Sequence, residues 1–166
     1  MSKVVSDGIQ VKGQWRIIVQ RPDGSESDSG WIDNTIMKTA RLKILERLAN
    51  DSPTNLFATH IAIGDGSNTI TETDSILQNE VVRVAKTSSN AALNESGNPS
   101  LSVVTTFPQD SIPSLPRTLT RLGLFMDATS TPNSGVLLSH VSADIDVNTS
   151  LDVVFVEFRL VLLNQA

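Results

Sequence analysis

The sequence predicts a mainly β fold, a β-sandwich or jelly-roll-like barrel with one amphipathic α-helix packed on it, in a single domain spanning residues 1–166. Three observations lead there. From Pro53 to the end, apolar residues recur at period two or in short continuous runs, the pattern of strands. The intervening stretches NAALNESGNPS, PQDSIPSLP and DATSTPNSG are rich in Gly, Pro, Asn and Ser, which favour turns. Helical periodicity is confined to one segment near the N-terminus. At 166 residues a single core is sufficient, and no internal repeat is present.

The elements follow in chain order. IQVKGQWRIIVQ is rich in β-branched and aromatic residues and runs into Arg21-Pro22-Asp23-Gly24, where Pro presets φ and Gly accepts positive φ. This predicts a hairpin over about 9–33, with Trp31 on its return strand. Asp33-Asn34 then precede a helix over about 35–49, whose Ile36, Ala40, Ile44 and Leu48 recur every four residues beside Met37 and Leu45. Its end is expected near Asn50 and Pro53. The strands expected within about 57–163 are FATHIAI (57–63), NEVVRVAK (79–86), LSVVTTF (101–107), RTLTRLGLFM (117–126), GVLLSHV (135–141) and LDVVFVEFRLVLL (151–163).

The last strand would extend roughly 43 Å at about 3.3 Å per residue, so it is expected to bend or to serve more than one sheet. One face carries Asp152 and then Val154, Val156, Phe158, Leu160 and Leu162, a core stripe. The other face places Glu157 and Arg159 between apolar ends. Those ends, Val153, Phe155, Val161 and Leu163, call for a cover, either the helix of the same chain or a neighbouring subunit. They are therefore candidate oligomer-interface residues.

Composition excludes several classes of function. With 13 basic against 18 acidic residues and no basic cluster, nothing in the chain suits a phosphate backbone, so no nucleic acid partner is expected. MSKVVSDGIQVKGQW lacks a signal-peptide h-region, and no apolar run reaches the length of a membrane span, so no membrane partner is expected. The absence of cysteine removes disulfides, thiolate metal sites and thiol nucleophiles. A charged fraction of only 19%, with abundant Ser, Thr and Asn, suits a surface that makes interfaces.

Local motifs point to structure more than to chemistry. Gly-Asp-Gly-Ser at 64–67 supplies only the start of a calcium loop and lacks the Lys of a phosphate loop, so it is read as a turn requiring positive φ. His60 and His140 stand singly in apolar strands, too few for zinc, and no nucleophile motif accompanies Ser139-His140. Glu80, Arg83 and Arg121 are better suited to a structural ion bridge than to acid–base work, since an Arg neighbour keeps a carboxylate ionised. Trp15 and Trp31 are expected to meet across the hairpin, because a chain without tyrosine is poorly supplied for a sugar-binding face. No catalytic residue, metal or cofactor is expected.

A resemblance emerges from the order of these pieces. GWIDNTIMKTARLKILERLA leads into THIAIGDGSNTITETDSILQNEVVRV, followed by LTRLGLFMDA, by GVLLSHVSADIDV and by the long final strand. From about Gly13 to Leu163 this resembles the small virion proteins of tailed bacteriophages, and is similar to the virion-proximal domain of phage tail-collar fibres. Comparable stretches there read "hxaxGdGt", "LxxExxR", "reiGLfd" and "gxLxaxv". Glu80 and Arg83 match that pattern, as do Gly123-Leu124-Phe125. Arg121 departs from it, standing where Glu is usual.

The resemblance implies a non-enzymatic structural component of a tailed phage particle, assembled in the host cytoplasm and resident in the virion. Its partners would be copies of itself, a homotrimer being favoured, and other virion proteins of the tail, collar, neck or baseplate. Because the sequence ends after the final strand with no fibre shaft, a stand-alone attachment domain is expected. A capsid decoration (cement) protein contacting the major capsid protein is the alternative, and a glycan- or receptor-binding module a further one.

Overall fold

The protein is described here by a computed structural model covering residues 8–49 and 57–165. The expected end of the helix near Asn50 and Pro53 lies outside those residues.

Two antiparallel sheets form a sandwich. Its strands are β1 (Gly8–Gln20), β2 (Glu26–Asp28), β3 (Ile32–Asp33), β4 (Thr35–Ile36), β5 (Ala58–Gly64), β6 (Glu80–Ala85), β7 (Ser88–Leu93), β8 (Pro99–Phe107), β9 (Arg117–Met126), β10 (Val136–Val147) and β11 (Val153–Gln165), with α1 (Lys38–Leu48) between β4 and β5. The first sheet is ordered β2-β1-β11-β8-β7, with β3 also pairing β1; the second is ordered β4-β10-β9-β5-β6.

Long β11 stays within one sheet because β1 matches it residue for residue, from Gly8 opposite Gln165 to Gln20 opposite Val153. Alternation then sorts its side chains, as period two requires. Val154, Val156 and Phe158 are buried inward beside Trp15, Ile17 and Val19 of β1, and face Ile61, Ile63, Leu122 and Leu124 of the second sheet in one core. Phe158 meets Trp15 edge-on, 5.1 Å between ring centroids. The Trp15 indole also donates to Ser139 Oγ at 2.9 Å, tying the two sheets with a satisfied buried polar contact.

Several expectations are corrected. Residues 90–93, expected in a loop, belong to β7, which returns to β8 through an Asn94–Asn98 turn closed by Asn94 N–H to Asn98 O at 2.9 Å, with Gly97 at φ +76°. Five exposed small or polar residues followed by exposed Leu93 lack the apolar alternation that marks a strand; the neighbouring strand supplies the order instead. β10 continues past residue 141 to Val147, its buried residues alternating with exposed ones through SADIDV.

The helix begins at Lys38, because Thr35 and Ile36 pair with β10 as β4. Asn34 does not cap it. Its carboxamide donates to Ser139 Oγ instead, in a space that a side chain at Gly13 would occupy. Nor does the apolar spacing of α1 mark a core face: the helix rests on β10 through Ala40, its one buried residue, while Leu42, Ile44, Leu45 and Leu48 are exposed. Because α1 lies against the second sheet, it does not cover the outer face of β11.

Candidate functional site

Three places could bear function: a polar layer over the second sheet, the outer face of the first sheet, and a groove at the edge of that face.

The polar layer grows from β6 and β9. Arg83 presents a fork to Glu80, Nε to Oε1 and Nη2 to Oε2, each at 2.7 Å, and both side chains are almost wholly buried. Its remaining Nη1 donates to Ser134 O at 2.9 Å, and its guanidinium carbon lies 3.9 Å from the Phe125 ring centre. Glu80 Oε2 also accepts the Asn133 N–H at 3.2 Å. Together the pair fastens the β9–β10 loop onto the sheet edge.

Arg121, expected with them, is not a third member. Its guanidinium donates to Thr120 O at 2.9 Å, to Ser142 Oγ at 2.7 Å and to Asn68 O at 2.6 Å, and among the described residues it has no carboxylate partner. The register explains this. Arg121 lies opposite Gly64, beside the start of the 65–79 loop, whereas Arg83 lies opposite Ala62, two residues along β5.

Gly64 and Gly66 are needed for a reason other than the expected positive φ, which neither adopts. A Cβ at Gly64 would stand 2.6 Å from Gln78 O, and one at Gly66 would stand 2.6 Å from Gln78 Cβ, so the motif lets residues 78–79 pass close by. Asp65 is engaged by Arg117 at 2.9 Å.

His140 is buried on the same face, its Nδ1 3.4 Å from Asp74 Oδ2 without the alignment of a hydrogen bond. Burial pushes its pKa below the ordinary value, nearby Arg121 pushes the same way, and Asp74 opposes them. His60 is likewise lowered, by burial and by Arg83. Among the described residues, both ring nitrogens of His140 and Nδ1 of His60 are buried without a hydrogen-bond partner.

On the first sheet, the outer face is laid out by the ladders as cross-strand rows. Ile18, Phe155 and Thr106 form one; Arg16, Glu157 and Val104 the next; Gln14, Arg159, Ser102 and Asn90 the third; Lys12, Val161, Ser100 and Ala92 the fourth. Charges are paired across these rows, Arg16 with Asp28 and Glu157 with Arg159. Of the interface candidates, Val153, Phe155 and Leu163 are half-buried, whereas Val161 is only 6% exposed within the single chain and is not free for a partner.

Trp31 does not meet Trp15. It lies between β2 and β3 on this outer face, 37% exposed, its ring stacked 4.2 Å from the Arg159 guanidinium. Trp15 points into the core from the opposite side of β1, so the two cannot touch. Beside Trp31 opens a groove of about 550 Å³. Its floor exists because the outward positions of β7 and β8 there carry only Asn90, Ala92, Ser100 and Ser102; Trp31 with Arg159 forms one wall and the 93–96 turn the other. This run of small residues at alternate positions was readable as sequence, but only once β7 is known to be a strand.

No family model, curated protein or solved structure matches the chain.

Proposed function

We propose that this chain is a non-enzymatic structural component of a tailed bacteriophage particle, docking as a homo-oligomer on the tail, collar, neck or baseplate. The carrying observation is the flank of α1: Leu42, Leu45 and Leu48 are 54%, 61% and 79% exposed at three-residue spacing, leaving apolar area that association would remove from water. The motif resemblance and the sparsely charged surface support the same reading. Adhesion then comes from apolar contacts on this flank, interspersed with the charged Arg41, Lys43, Glu46 and Arg47 of the same helix.

Light scattering on the purified protein is expected to give a multiple of 17.9 kDa, three subunits in the favoured case. Leu45→Glu should lower that mass while leaving the unfolding midpoint nearly unchanged. Val161→Asp, at a buried position, should instead cost folding. A clean monomer at high concentration refutes oligomeric docking. Electron microscopy of particles carrying a labelled chain tests the location; density on the head shell would assign capsid decoration in place of the tail, and particles without the chain would refute a virion role.

A further inference from the structure

We propose that the groove beside Trp31 binds a short neutral oligosaccharide. This goes beyond the docking role and uses a different surface from the apolar flank of α1.

The first argument is the ring. Trp31 contributes nothing to the core, and its ring lies 4.2 Å from the Arg159 guanidinium. A half-exposed indole lining a groove offers an apolar plane on which the C–H face of a pyranose can stack, and a side chain with two χ angles loses little entropy on ordering.

The second argument is the set of free polar groups. Among the described residues the side chains of Asn90, Glu95 and Ser96 have no hydrogen-bond partner, and all three line the groove. A carboxamide, a carboxylate and a hydroxyl supply the mixture of donors and acceptors that vicinal sugar hydroxyls require. At about 550 Å³ the groove falls within the roughly 300–1,000 Å³ range of small-ligand sites, and its open ends suit a chain rather than a single enclosed sugar.

Charge selects the class. Arg159, the cation of the site, lies 3.6 Å from Glu157, and Glu95 adds a second carboxylate at the rim. The local balance disfavours phosphorylated, sulfated or sialylated ligands. An apolar ligand would strand the free amide and carboxylate without partners. A neutral glycan satisfies both conditions.

The test is a panel of neutral and acidic oligosaccharides screened on the intact protein, with hits titrated by calorimetry. A neutral hit is expected, weakened about tenfold or more by Trp31→Ala and about three- to tenfold by Asn90→Ala, the loss of one neutral hydrogen bond. Both side chains are exposed, so the unfolding midpoint should move little; if Trp31→Ala fails to fold, the Asn90→Ala and Ser96→Ala variants carry the test. Tryptophan fluorescence adds a readout, because Trp15 is sealed in the core and only Trp31 can respond to a ligand. Binding confined to acidic glycans, no binding at all, or binding untouched by these substitutions overturns the proposal and leaves the docking reading intact.

Discussion

Breaking the Arg83–Glu80 pair from one side should loosen the whole outer layer of the second sheet. Glu80→Gln keeps the shape but removes the charge, leaving a guanidinium whose side chain is 1% exposed without its counter-ion. Stripping one partner from a buried pair costs about 3–5 kcal/mol. Arg83 retains the Ser134 carbonyl at 2.9 Å and the Phe125 ring at 3.9 Å, so the lower end, about 3 kcal/mol, is expected. For a domain of this size that lowers Tm by roughly 6–12 °C. Arg83→Met should cost about 4 kcal/mol, because Glu80 keeps only the Asn133 N–H at 3.2 Å. The double replacement Glu80→Gln/Arg83→Met removes both buried charges and should cost less than the two single changes together, by about 2 kcal/mol or more. Urea unfolding of the four proteins closes the cycle. Amide exchange at Asn133 should quicken in both single variants. Single costs below about 1 kcal/mol that simply add would show that the pair does not hold the loop, and the reasoning would fail.

Two further outcomes follow from the same layer. Gly64→Ala should destabilise by about 1–3 kcal/mol in urea, since its Cβ would press on the Gln78 carbonyl at 2.6 Å; Gly24→Ala, at φ +84° in open space, should cost only its backbone strain of about 1 kcal/mol. Stability should also fall as pH drops below 6.5: unfolded His140 takes up a proton there that the folded protein refuses, a loss of up to about 1.4 kcal/mol per pH unit. His140→Gln should flatten that slope between pH 7 and pH 5, and an unchanged slope would place the proton uptake elsewhere.

The strands with apolar alternation were legible in the sequence, and β9 spans the expected residues. What escaped depends on neighbours. Period-four spacing in α1 reports how a helix could be amphipathic, not whether a partner exists; here only Ala40 found one. β7 carries no buried residue, its Ala91 and Leu93 remaining exposed, and is ordered by its ladder to β8, which spacing cannot reveal. Gly64 and Gly66 do not adopt the positive φ expected of them; what requires them is a close approach of residues 78–79, a contact distant in sequence. Glu80 and Arg83, three residues apart, were readable as a pair. The placement of Arg121 elsewhere turned on a two-residue difference in register that only the folded sheet fixes.

The two outer faces are finished in opposite ways, and the difference organises the functional reading. Over the second sheet, small residues at Ala62 and Gly123 leave room for Leu77 and Phe125, and the 65–79 and 127–135 loops close down on buried Arg83 and Arg121. That side is sealed within the chain, and substitutions there act through stability. Among the described residues the first sheet has no such lid: its charges are paired along the surface, and its exposed indole, Trp31, stands beside a groove rather than under a loop. Arg16 and Asp28, at 2.5 Å but half-exposed, add little to stability on their own. Their pairing keeps the open face flat and electrically quiet, which favours recognition of neutral, hydroxyl-rich surfaces over charged ones. A protein fixed through the α1 flank would leave this face turned to the surroundings, so attachment and ligand recognition need not compete for the same residues.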